Sequence, residues 1–341
     1  MVFDYSNEKF SGVKKVGEHL LMSQIENNIK SFLDWGLLHI GGFINVSRSQ
    51  YNIYGNPPFI LKATEDPNYK IGQIWHTMRK DWVWEENIEY APFPSPLPSA
   101  SPPPIPITMA PISITGIYIN NIFYPIASVD TTYSYKVDYT NSRIIFNKPI
   151  PVNSLVEMEY SYRWAQVYSY DNARWWQQLQ YKSDDNLSHF NQIRQGDFSL
   201  FSSNRVQLPA VIIEPISRGK STPWALGDKS LIMEQDLILH IIAETRADRN
   251  ILIDIMRLQQ DKFINLYDIN LVIKNNIYPF NIDGTLNPNR IEYDILTKDS
   301  DYRWHTCLLK DIYASDVESF SSFLSESSVR ITVELIFNIN N

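Results

Sequence analysis

Leu231-Ile232-Met233-Glu234-Gln235-Asp236-Leu237-Ile238-Leu239-His240-Ile241-Ile242-Ala243 decides how this chain is read. A run so rich in isoleucine and leucine is a strand buried on at least one face. Thr245 follows where an N-cap belongs, and Asp248 three residues on is the acidic partner of a shortened capping box. Ile251, Leu252, Ile255, Met256 and Leu258 then recur at helical spacing, an apolar stripe expected to lie on a neighbouring sheet. After Gln259-Gln260-Asp261-Lys262, the stretch 263–270 returns as a strand with partial alternation. The unit is strand, helix, strand, and no glycine-rich turn between strand and helix offers a phosphate cradle.

Downstream, 281–291 is turn-rich, 303–309 reads as a strand, and 329–337 alternates and is expected to close the sheet. Upstream, 209–214 restarts the fold after a polar stretch over 182–205, expected to be a long loop. Gly219-Lys220-Ser221 has the ending of a phosphate loop, but Pro215 stands where the earlier glycine is required, so that reading is rejected. The span 208–341 is therefore expected to form a C-terminal α/β domain, preceded by a loop region over 171–207 in which Asp171 caps a short helix.

The middle of the chain is β. Ile117 and Ile119 face Phe123 across an Asn120-Asn121 turn, and 137–139 faces 143–146 across Thr140-Asn141-Ser142, giving two hairpins within 112–170. The stretch 155–164 is expected to be one longer strand, with Glu157 and Glu159 outward on one face. Before it, nine of the chain's 20 prolines fall between Pro92 and Pro111, too many for a helix or a central strand. This is a semi-rigid connector or arm. In the N-terminal 91 residues, 11–34 has helical periodicity with Gly36 as its stop, and the helix is expected to pack on its own domain. A bent strand over 37–46 and further strands follow, with Trp75 on one and Trp82 and Trp84 sharing a face of another. The fold class is α+β, organised as 1–91, 92–111, 112–170, 171–207 and 208–341.

Composition narrows the function. Over 341 residues, 20% charged and 44% hydrophobic, the chain buries cores of its own. A net charge of -8 supplies no basic field to grip nucleic acid. Cys307, the one cysteine, excludes an internal disulfide and is read as a small buried hydrophobe. No basic segment followed by an apolar core opens the chain, and no apolar run reaches a membrane span, so synthesis and folding are expected in the cytoplasm. His19, His39, His76, His189, His240 and His305 show no metal-ligand spacing, and no Gly-x-Ser-x-Gly elbow occurs. No catalytic, cofactor-binding or metal-ligating residue is expected, and the chain is read as a non-enzyme.

The run 240–255, His-Ile-Ile-Ala-Glu-Thr-Arg-Ala-Asp-Arg-Asn-Ile-Leu-Ile-Asp-Ile, with Leu266-Tyr267-Asp268, resembles neck, connector and tail-completion (terminator-like) virion proteins of tailed bacteriophages. The resemblance extends to the hairpin segments Gly116-Ile117-Tyr118-Ile119-Asn120 and 135–146. It implies a structural protein at the head-to-tail junction of the virion, assembled as a homo-oligomeric ring. The implied partners are other neck, portal-adaptor and tail tube or sheath proteins, with double-stranded DNA passing through the lumen without sequence recognition, and no membrane. A baseplate or other tail component is the nearest alternative. A carbohydrate-binding or carbohydrate-cleaving tail protein is the alternative from another class, motivated by Trp75, Trp82, Trp84, Trp175 and Trp176 and by Glu157 and Glu159.

Overall fold

Alternating strands that each bury one face must find sheets, and two sheets absorb nearly all of them. The structure, a computed structural model, describes residues 18–48, 58–77, 79–85, 88, 110–126, 133–172, 207–216, 220–223, 230–316 and 324–338. The proline-rich stretch up to 109, the loop over 182–205, and Trp175 and Trp176 lie outside the described residues. In chain order the first elements are helix α1 (Glu18–His39) and strands β1 (Phe43–Val46), β2 (Ile60–Thr64), β3 (Ile74–His76), β4 (Gly116–Ile119) and β5 (Ile122–Pro125). Strands β6 (Tyr135–Asp138), β7 (Arg143–Phe146), β8 (Val156–Glu157) and β9 (Tyr160–Arg163) follow.

The first sheet has the order β5-β4-β8-β2-β3-β7-β6, every neighbouring pair antiparallel. Both hairpins form as the sequence implies. Asn120 and Asn121 adopt φ of 49° and 68°, the doubly left-handed geometry of a two-residue hairpin turn that asparagine tolerates. The sheet curls until its edge strands meet: the Tyr135 hydroxyl donates to the Tyr124 carbonyl at 2.8 Å, and the Tyr124 and Tyr133 rings lie 4.9 Å apart. Inside pack Trp75, Trp82, Ile117, Ile144, Phe146 and Tyr160. The buried indoles of Trp75 and Trp82 donate to the Gly72 carbonyl at 3.0 Å and the Thr77 hydroxyl at 2.9 Å, so each brings its polar handle in satisfied.

Several expectations need correction here. The helix runs past Gly36 to His39, so the first three residues of the expected strand over 37–46 are helical and the strand itself begins at Phe43. The stop is Gly41, at φ 90°, which donates to the Leu38 carbonyl at 2.9 Å while Gly42 donates to Leu37 at 2.8 Å. That pair of bonds is a Schellman motif, and it needs the left-handed residue one position beyond the last turn. Residues 81–85 are no strand; Trp82 makes a single bridge to Tyr162, and Trp82 and Trp84 do not share a strand face. The expected long strand over 155–164 breaks in two: β8 pairs in the curled sheet, a pairing that the Met158 N–H extends to the Phe59 carbonyl at 2.9 Å, and β9 then pairs with β1.

The second sheet contains β10 (Gln166–Ser169), β11 (Ala210–Pro215), β12 (Lys220–Pro223), β13 (Ser230–Ala243), β14 (Lys262–Tyr267), β15 (Arg303–Asp316) and β16 (Ser325–Asn338). Its helices are α2 (Arg246–Arg257), α3 (Ile269–Lys274) and α4 (Tyr293–Lys298). The order is β10-β11-β13-β16-β15-β14, with β12 beside β13. Among the described strands of this sheet, only β10 and β11 are parallel. The strand-helix-strand unit is present, but β13 and β14 are not neighbours: β16 and β15 lie between them, and β14 runs opposite to β13. The architecture is thus α+β with an antiparallel sheet and not an α/β unit, and β16 sits inside the sheet instead of closing it.

One face of this sheet is apolar and covered. Leu237, Leu239, Ile241, Val329, Ile331 and Val333 meet Leu252 and Met256 of α2, and Met22, Ile25, Ile29, Leu33 and Leu37 of α1 join the same core. Thr245 caps α2, its hydroxyl accepting from the Asp248 N–H at 3.1 Å. Of the predicted stripe, Ile251 and Leu258 point outward, 49% and 80% exposed, because the buried face is only as wide as the sheet it meets. Cys307 is buried in this core, where burial pushes its thiol up to about 12. The opposite face is polar in part, with Lys310 between Glu234 and Glu334 at 3.0 Å each and Arg330 paired with Asp236, while Ile212 and Ile242 form a small apolar cluster with Tyr168, Tyr170 and Leu208.

The sheets cut across the expected segments. Strands from 60–76 and 116–157 share the curled sheet, α1 packs on the second sheet and not beside the strands that follow it, and β10 is already part of that second sheet. Among the described residues, no helix is long and apolar enough to cross a membrane.

Candidate functional site

Because α1 belongs to the second sheet while β9, paired with β1, leads from β8 of the first sheet into β10, the two sheets meet along a seam around Arg163. Its side chain is 4% exposed. The guanidinium bonds Asp34 of α1 at 2.9 Å and the Trp82 carbonyl at 3.2 Å, holds Glu85, and lies 3.7 Å from Asp81. Backbone bonds fix the same seam: Val83 donates to Ser161 at 2.8 Å, Arg163 to Asp81 at 3.1 Å and Trp164 to Gly42 at 2.9 Å. One cation serving three carboxylates leaves a charge excess at a partly buried seam, which favours a bound proton. Burial pushes Glu85 up to about 7 against the opposing pull of Arg163, with Asp34 adding to the rise. Asp81 also rises, but its side chain is 37% exposed and screened by water, so the rise acts most fully on Glu85, at 4%.

A second contact closes the far side of the seam. The loop after α3 reaches across to the β6–β7 hairpin: Tyr139 donates to the Gly284 carbonyl at 2.8 Å, Lys136 meets Asp283 at 3.1 Å, and the Trp84 and Phe280 rings stack edge to face at 5.6 Å. Gly284 has φ 79°, and a Cβ there would lie 1.9 Å from Oδ1 of Asp138. Asp138 is itself fixed by Arg143 at 2.7 Å, and Arg143 reaches Asp66 at 3.1 Å.

Between these two contacts lies a cleft of about 770 Å³, within the size range of small-molecule sites, which concentrate where two packed bodies meet. Two aromatic pairs line it, Trp35 with Tyr293 and Trp84 with Phe280. Trp35 is tilted against Tyr293 at 5.8 Å and meets His39 edge-on at 4.8 Å. His76 also lines the cleft, and burial holds it down to about 4, so its ring is neutral.

The residues that motivated the carbohydrate alternative are dispersed. Trp75 and Trp82 are core residues, 1% exposed each; Trp82 borders the cleft from the core, and Trp84 lines it half-buried. Glu157 is 6% exposed, not outward as expected, and is bonded to the Arg48 guanidinium at 2.8 Å, while Glu159 accepts from the Arg48 backbone N–H at 3.0 Å. Both carboxylates therefore hold the end of the β1 segment. Trp35 and Arg163, which organise the cleft and its seam, were missed because each sits in a helical or strand pattern that explains it locally. Among the described residues, no group of three His, Cys, Asp or Glu side chains has metal-holding geometry. No protein-family model matches the sequence, and no curated protein matches it.

Proposed function

We propose that this chain is a structural virion protein of a tailed phage at the head-to-tail junction, assembled as a ring through which DNA passes. The observation that carries the reading is the half-paired strand β15. Its first half pairs with β14, which stops at Lys262 opposite Leu309, and among the described residues no strand covers the outer side from Lys310 to Asp316. An open strand edge is a template for a strand of another chain, and a head-to-tail contact of that kind closes into a ring when its rotation permits. The polar part of the opposite sheet face, around Lys310, Glu234 and Glu334, and the net charge of -8 suit a conduit that does not grip a phosphate backbone. In this reading the second sheet builds the ring, and the curled sheet and the proline-rich arm face adjacent rings.

Electron microscopy of the purified protein beside its solution mass tests the proposal. Rings are expected, alone or with neighbouring virion proteins. A chain that stays monomeric with every candidate neighbour overturns it.

A further inference from the structure

Among the described tryptophans, two pairs contrast. The core indoles of Trp75 and Trp82 have their N–H groups bonded within the chain. Those of Trp35 and Trp84 are half-buried in the cleft walls, and among the described residues their indole N–H groups donate to nothing. Each of these two rings is braced by another, Trp35 by Tyr293 and Trp84 by Phe280, so its orientation is set in advance. The walls are thus fixed aromatic surfaces carrying unused donors, contributed by both packed bodies.

Charge decides what such walls face. Four cations and five carboxylates line the cleft, and most are already spent on each other: Arg163 on Asp34, Asp81 and Glu85, and Arg143 on Asp66 and Asp138. The lining charges nearly cancel, so neither an anion nor a cation meets a strong net field there. A neutral ligand with flat C–H faces and many hydroxyls fits better: its faces stack on indole, its hydroxyl oxygens accept from the indole N–H groups, and its hydroxyl protons find side-chain oxygens such as those of Asn27 and Asn141, which also line the cleft.

We propose that the cleft between the two sheets is a binding site for a neutral oligosaccharide, held between Trp35 and Trp84. The site differs in place from the one the sequence suggested, and it stands whether or not the chain forms rings. Because Trp35 rides on α1 and Trp84 on the segment beside Arg163, the site exists only while the seam is closed.

Calorimetric titration of the full chain with maltohexaose, cellohexaose and N-acetylchitohexaose, each separately and with heparin hexasaccharide as the anionic control, tests this. At least one neutral probe is expected to bind with a Kd below about 1 mM, and the anionic control is expected to bind more weakly. Trp35→Ala and Trp84→Ala are each expected to weaken binding about tenfold or more, and Trp84→Tyr, which keeps a ring, less. Glu157→Gln, remote from the cleft, leaves binding unchanged. Melting curves run on each variant separate lost binding from lost folding. No binding by any neutral probe, preference for heparin, or undiminished binding in folded Trp35→Ala and Trp84→Ala overturns the proposal.

Discussion

Glu85 is the residue on which the seam turns. Its carboxyl is pushed up from 4.5 to about 7, so near neutrality the folded chain holds a proton that the unfolded chain has released. The stability it contributes is fully present below about pH 4.5 and is lost as the pH rises through about 7. Glu26, raised to about 7 by burial, acts with the same sign. His76 acts oppositely: it stays neutral when folded down to about 4, so acidification below 6.5 favours the unfolded chain. Between pH 6.5 and pH 8 the two glutamates therefore act without that opposition, and the melting temperature is expected to fall across this window. Glu85→Gln, neutral at every pH, is expected to flatten the fall; an unchanged slope would remove Glu85 as its source. At the other contact, Gly284→Ala places a methyl 1.9 Å from Asp138 Oδ1 at a φ of 79°. Chemical denaturation is expected to show a loss of at least about 2 kcal/mol, and a loss under about 0.5 kcal/mol would mean that the loop is not held as described.

At the scale of elements, α2 separates what periodicity shows from what packing selects. Leu252 and Met256 are fully buried, yet Ile251, in the same apolar stripe, is 49% exposed. Leu252→Ala is expected to cost about 2–5 kcal/mol and Ile251→Ala under about 1 kcal/mol, measured by the same denaturation. Equal costs would contradict the orientation of the helix. Both hairpins and the Thr245 cap were legible because their bonds close within a few residues. The break between β8 and β9 was not, since alternation through 155–164 continues across it while the partner strand changes.

For the whole molecule, the decisive fact is that α1 covers the second sheet. The sequence segments it as part of 1–91, but its Met22, Ile25, Ile29, Leu33 and Leu37 share a core with Val211, Ile264 and Leu335. Residues 208–341 expressed alone lack both α1 and β10, and are expected to expose that face, bind a hydrophobic dye and aggregate, while the full chain does not. A soluble 208–341 fragment with a cooperative melt would show that the helix is dispensable. The cleft belongs to the same scale. Trp35 and Trp84 are 49 positions apart in sequence, and only the return of α1 to the second sheet brings them to one cavity.

By itself the sequence determined the α+β class, the β13 strand and its capped helix, the asparagine hairpin and the burial of Cys307, because periodicity, capping and turn geometry are local properties of the chain. The tertiary structure alone decided that β16 enters the middle of the sheet, that Glu157 is buried against Arg48, that Arg163 gathers three carboxylates and that a cleft opens beside them. An apolar stripe declares that a face will be buried but not against what, and a charge declares its sign but not its neighbours. Those choices rest on pairings between residues tens to hundreds of positions apart, and they are made only when the sheets close.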